Sequence, residues 1–306
     1  MRRLGERPCA VCYLCVAWFL FLCMAPFSAQ ANNVDDNETP GRVVLPAGVR
    51  VLRDVSYGND TLQRMDVYLP RQVTSAPVIL MVHGGAWRLG DKEESAVVEN
   101  KVARWVPKGF IFISANYRLL PKADPLEQAQ DIARALAAAQ NKASGWGGDP
   151  EKFILMGHSA GAHLVALLTA NPSLAYRQGA KPWLGTVALD SAAYDVVLLM
   201  GARHARFYDR AFTDDPLYWK KVSPFHVLSA SARPFLAVCS SRAKDSCPQA
   251  SRFVARAAEL KVRASFLTRD LTHSDINHLL GVAGGYTEAV EAFMRTLDTV
   301  VAKAFQ

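Results

Sequence analysis

Half of the 306 residues are hydrophobic, enough to build the core of one α/β domain or two small ones, and no internal repeat or low-complexity block interrupts the chain. The formal net charge of +7 is spread out, with no basic run of five residues and no basic patch interleaved with aromatics. That pattern excludes a nucleic-acid-binding surface and describes a solvated one.

The first stretch differs from the rest. Arg2, Arg3 and Arg7 form a basic region, Ala10 to Met24 is apolar around Trp18 to Leu22, and Ala29-Gln30-Ala31 has the A-x-A form of a cleavage site. This predicts a secretory signal peptide over 1–31, with an apolar run too short for a comfortable membrane span. The expectation is a periplasmic or secreted protein with no stable membrane span after cleavage. Residues 32–46, polar and containing Pro and Gly, read as a flexible leader before a domain at 47–306. Cys9, Cys12, Cys15 and Cys23 lie in the signal, which leaves Cys239 and Cys247. Two nearby cysteines in an exported chain predict one disulfide.

Val49 to Val55 and Arg64 to Pro70 read as a hairpin around the Gly58-Asn59-Asp60 turn. Pro77 to Val82 is a continuous apolar run, the pattern of a strand buried on both faces, and His83-Gly84-Gly85-Ala86-Trp87 follows it. Glu93 to Val106 is predicted helical, Phe110 to Ser114 a strand, and Leu126 to Lys142 a helix stopped by Ser144-Gly145-Trp146-Gly147-Gly148. Phe153 to Met156 runs as a buried strand into Gly157-His158-Ser159-Ala160-Gly161, and a helix rich in Ala and Leu comes next. Trp183 to Leu189, Pro234 to Ser240 and Ala264 to Thr268 are further strands; Ser246 to Leu260 and Tyr286 to Lys303 are helices. The stretch 191–232 is less regular, with short helices predicted at Val196 to Gly201, Pro216 to Val222 and Pro224 to Leu228. Its aromatic residues make it a small, partly helical insertion that covers part of the site. Strands alternating with helices predict an α/β fold with a mainly parallel eight-stranded sheet flanked by helices.

The turn at 157–161 has the form G-x-S-x-G between a strand and a helix, a nucleophile elbow. Gly157 and Gly161 remove side chains that would crowd the turn, and Ser159 stands at a helix N-terminus that favours developing negative charge. Gly84 and Gly85, directly after a buried strand, let backbone approach closely; with Ala160 their N–H groups would form an oxyanion hole. His83 reads as a support of that loop, while Trp87 and His158 are candidates for contact with substrate. A serine hydroxyl needs a base, and the base needs a carboxylate that fixes its tautomer. In this architecture the order is Ser, then Asp or Glu, then His. His273, in the loop after the last predicted strand, is favoured over His278, which is placed in a following helix. Asp245 is the favoured acid because it follows the strand at 234–240 and lies between Cys239 and Cys247, whose bond would pin its loop; Asp190 and Asp195 are the alternatives. His163 is read as a core residue or a residue behind the site.

Several motifs occur together in order: Met65-Asp66-Val67-Tyr68-Leu69-Pro70, His83-Gly84-Gly85-Ala86-Trp87, Asn116-Tyr117-Arg118-Leu119, Gly148-Asp149-Pro150 and Gly157-His158-Ser159-Ala160-Gly161, followed by Asp245 and His273. On these residues the chain from about Val49 to Phe293 resembles the α/β-hydrolase-fold esterases of the hormone-sensitive-lipase-like and feruloyl-esterase-like (BD-FAE-like) group, related to kynurenine formamidases. The resemblance implies a serine carboxylesterase acting on a small-molecule ester, with no metal and no organic cofactor. Ala86 stands where lipase-like members carry a third Gly, and no Gly precedes Asp245 closely as it often does before the family's acid. An amide hydrolase using the same triad and a non-catalytic binding protein on this scaffold are the rival readings.

Overall fold

The computed structural model describes residues 45–306, so the expected signal peptide and most of the leader lie outside the described residues. Eight strands form one sheet: β1 (Arg50–Ser56), β2 (Arg64–Leu69), β3 (Ala76–Val82), β4 (Ile111–Ala115), β5 (Gly148–His158), β6 (Gly185–Leu189), β7 (Phe235–Ser240) and β8 (Ala264–Arg269). Their order is β1-β2-β4-β3-β5-β6-β7-β8. β2 runs antiparallel to β1 and to β4, and every other neighbouring pair is parallel.

Period-two alternation divides the core between the two faces of the sheet. Val78, Leu80 and Val82 of β3, with Phe153 and Leu155 of β5, pack with α2 (Pro125–Lys142) and α3 (Ala160–Ala170). Ile79 and Met81, with Ile154 and Met156, pack on the other side with α1 (Ser95–Trp105), α11 (Gly285–Arg295) and α12 (Thr299–Ala304). Both faces are covered, which is why these strands read as unbroken apolar runs. α4 (Ser173–Tyr176) follows α3, and α9 (Ser246–Glu259) packs Ala250, Phe253 and Ala257 against β7. The insertion holds α5 (Val196–Gly201), α6 (Arg206–Phe212), α7 (Pro216–Lys221) and α8 (Pro224–Val227), and α10 (His273–His278) follows β8.

Several elements differ from expectation. The insertion has α6 as an additional helix, held by Phe207, Tyr208 and Phe212 against Trp87, a contact invisible to local periodicity. The last helix is two helices, because Asp298 leaves the helical conformation and caps a new one through Val300 N at 2.7 Å. His273 is the first residue of a helix and not part of a loop: Thr272 and Asp275 form a reciprocal capping box in front of it.

Because β3, β5, β6, β7 and β8 are parallel, their C-terminal ends share one edge of the sheet. The register aligns Val82 with Gly157, His158 with Leu189, and Leu189 with Val238. The residues that follow these ends are therefore gathered together, as is usual for binding sites on open α/β sheets.

Candidate active site

β5 passes into α3 through Ser159, whose φ of 54° and ψ of −117° lie outside the regions that L-residues normally occupy. Two contacts hold this strained turn: Ser159 N donates to Leu189 O at 2.9 Å, and Ser159 O accepts from His163 N at 3.1 Å. The flanking glycines are required by close backbone approach. A Cβ on Gly157 would meet Gly161 O at 2.5 Å, and one on Gly161 would meet Val82 O at 2.3 Å and His83 O at 2.4 Å. The helix thus starts against the end of β3, as the motif requires.

The loop after β3 is built around Gly84. A Cβ there would lie 3.0 Å from Ser159 Cβ and 3.1 Å from His158 Nδ1, so main chain runs directly beside the serine. Gly84 O accepts from His83 Nδ1 at 2.8 Å and from Tyr117 Oη at 3.3 Å. These two donors fix the plane of the peptide joining Gly84 to Gly85, and in a trans peptide the Gly85 N–H then points the opposite way. The rings of His83 and Tyr117 stack with centroids 4.5 Å apart, so His83 supports the loop, and burial lowers its pKa and keeps it neutral. Gly85, Ala86 and Trp87 all have positive φ, at 99°, 49° and 60°, and the chain turns sharply enough for Leu89 N to reach Gly85 O at 2.8 Å.

His273 is brought to the same place from β8. Its Nδ1 donates to Asp190 Oδ2 at 2.6 Å, leaving Nε2 as the basic nitrogen. Its backbone oxygen accepts from His158 Nε2 at 3.0 Å, and the two imidazoles lie 4.5 Å apart. His158, next to Ser159, therefore anchors the backbone of His273. Burial and the neighbouring His273 push the His158 pKa well below the usual histidine value, which keeps its Nε2–H as a neutral donor. Lys101 holds the far end of α10, with Nζ donating to Asn277 O at 2.6 Å and to Asn277 Oδ1 at 3.0 Å.

The carboxylate against His273 is Asp190, not the expected Asp245. Asp190 directly follows β6 and is 2% exposed. Its Oδ1 accepts from Ser240 N at 2.7 Å and from the Ser246 hydroxyl. Burial alone would raise its pKa, but the hydrogen bonds from His273, Ser246 and Ser240 outweigh that and hold it below the usual carboxylate range. Asp245 is exposed and stands just before α9 without a side-chain cap hydrogen bond. The third candidate, Asp195, is occupied elsewhere: it caps α5 through Leu198 N and pairs with Arg252 at 2.9 Å and His226 at 3.2 Å.

Cys239 and Cys247 are joined, with sulfurs 2.06 Å apart, and link the end of β7 to the first turn of α9. Trp87 is 3% exposed and offers little surface to a ligand. Its Nε1 donates to His163 Nδ1 at 3.2 Å, and His163 Nε2 donates to Val222 O at 2.7 Å. The pair ties the Gly84 loop and α3 to the insertion, a role behind the site that the sequence assigned only to His163. Among the described residues the carboxylates closest to a cation-binding arrangement are Asp54, Asp66 and Glu93, and they surround the Lys92 ammonium at 3.1, 3.0 and 2.8 Å.

Known proteins agree with this architecture. Residues 65–178 match the family model described as BD-FAE. The chain is 35% identical over 118 residues to a probable isoprenylcysteine alpha-carbonyl methylesterase of Oryza sativa subsp. japonica, ICMEL1, covering 38% of this chain and 27% of that protein. It is 32% identical over 171 residues to Esterase LipQ of Mycobacterium tuberculosis, covering 52% of this chain and 40% of the relative. The matches thus span less than half the length of these curated relatives. Among solved structures, Esterase B from Lactobacillus rhamnosis superposes with a TM-score of 0.67 at 20% identity, covering 85% of this chain and 89% of that one.

Proposed function

We propose that this chain, an α/β hydrolase whose residues 65–178 are of the BD-FAE type, is a serine carboxylesterase with the triad Ser159–His273–Asp190. The observation that carries the reading is the His273–Asp190 pair delivered beside the strained turn of Ser159. Asp190, bonded to Nδ1, leaves His273 Nε2 free to take the Ser159 proton and stabilises the imidazolium that results. Ser159 Oγ then attacks the ester carbonyl, and the Gly84, Gly85 and Ala160 amides receive the oxyanion. His273 gives the proton to the leaving alcohol. Water, deprotonated by the same imidazole, releases the acid and restores Ser159.

The LipQ and methylesterase relatives support an ester as substrate. Ser159→Ala is expected to abolish p-nitrophenyl acetate hydrolysis and fluorophosphonate labelling while circular dichroism stays unchanged. Retained turnover would overturn the reading, and faster turnover of a formamide than of the matched ester would move the activity to amides.

Export belongs to the same proposal. The basic, apolar and A-x-A segments of 1–31 and the joined Cys239 and Cys247 support it, and among the described residues no helix is long and apolar enough to cross a membrane. Mass spectrometry of the protein from the periplasm or medium of an expressing bacterium is expected to find a mature chain beginning at Asn32. A full-length chain confined to the cytoplasm would refute export.

A further inference from the structure

Asp190 Oδ1 has two donors, and both come from the strand and helix that the cysteines join. Ser240, the last residue of β7, supplies its N–H at 2.7 Å, and Ser246, the first residue of α9, supplies its hydroxyl. Cys239 precedes the one serine and Cys247 follows the other, with Cα atoms 5.1 Å apart. The Ser240 hydroxyl donates in turn to Leu271 O at 2.6 Å, in the segment leading to His273. The same clasp therefore brackets both donors to the acid and one anchor of the base.

Resting on the reading of Asp190 as the partner of His273, we propose that Ser240 and Ser246 are positioning residues for that carboxylate, and that the Cys239–Cys247 bond locks them in place. A buried carboxylate with one oxygen unpaired would rotate or draw in water, because a buried acceptor without a donor is costly. With Oδ1 held by two donors, only Oδ2 is turned toward His273 Nδ1. The bond is needed because the turn has little packing of its own: Ser241, Arg242, Lys244 and Asp245 are exposed. Closing a short loop covalently limits the conformations its ends can sample. Esterase activity is thereby tied to an oxidised pair of cysteines.

The test uses the intact oxidised protein and p-nitrophenyl acetate. Ser246→Ala is expected to lower kcat about tenfold, the weight of one hydrogen bond to a charged group, with KM within about twofold. Ser246→Thr, which keeps the hydroxyl, restores most of the rate. Dithiothreitol delivers two electrons and two protons to the bond, giving two cysteine thiols and cyclic oxidised dithiothreitol. It is expected to lower kcat of the wild type in the same way and to leave the Cys239→Ala/Cys247→Ala variant unaffected. An unchanged kcat in Ser246→Ala, a loss that Ser246→Thr does not restore, or a wild-type kcat indifferent to verified reduction overturns the proposal. Asp190→Asn is measured alongside: full activity in that variant overturns the assignment of the acid instead.

Discussion

His273 Nδ1 and Asp190 Oδ2 meet at 2.6 Å although 83 residues separate them in the chain. Asp190 follows β6 and His273 follows β8, with β7 between them in the sheet. Asp245, in the turn after β7, is exposed to solvent.

The two aspartates therefore separate cleanly by mutation. Asp190→Asn removes the charge that orients His273 and is expected to lower kcat about 10³- to 10⁴-fold with the fold retained. Asp245→Asn is expected to stay within about twofold of wild type. Steady-state kinetics on the two purified variants check this, and the reverse ranking would return the role to Asp245.

Two glycines near the serine are expected to fail in different ways. Gly84→Ala would put a methyl 3.0 Å from Ser159 Cβ, where the backbone permits a side chain but the neighbouring groups can give little. We expect kcat to fall at least about 100-fold with only a small loss of stability. Gly161→Ala would drive a methyl into two backbone oxygens at 2.3 and 2.4 Å, and α3 would have to move away from β3. That variant is expected to lose about 2 kcal/mol or more of stability. Thermal melts together with kinetics distinguish the two outcomes.

The buried histidines make the fold sensitive to mild acid. Burial lowers the His163 pKa to about 4, and also lowers those of His83 and His158. Between the ordinary histidine value of about 6.5 and the native value, the unfolded chain binds protons that the native state does not. Stability therefore rises with pH through that window and falls on acidification, by about 3 kcal/mol for His163 alone when fully expressed. His163→Gln keeps a donor for Val222 O but has no proton to gain. Urea midpoints measured from pH 7 to 4.5 should fall less steeply in this variant than in wild type; equal slopes would assign the acid sensitivity to other groups.

Parts of the candidate site were legible because their chemistry is local. The glycines around Ser159 and at Gly84 respond to contacts made within one turn, so the motif itself carries the steric requirement. The capping box at Thr272 and Asp275 is equally local, yet the sequence reading places His273 in a loop where the structure starts a helix. The role of Trp87 was not legible, because its partners Phe207, Tyr208, Phe212 and His163 lie far along the chain.

The amino-acid sequence by itself determined the α/β architecture, the strand-turn-helix around Ser159, the glycine loop and the candidate base, since periodicity and turn chemistry act over a few residues. Only the tertiary structure decided which carboxylate meets His273. That choice depends on the order of β6, β7 and β8 in the sheet and on where Ser240 and Ser246 can supply hydrogen bonds. A buried carboxylate goes where donors compensate its desolvation, and no local pattern in the chain records where those donors will be.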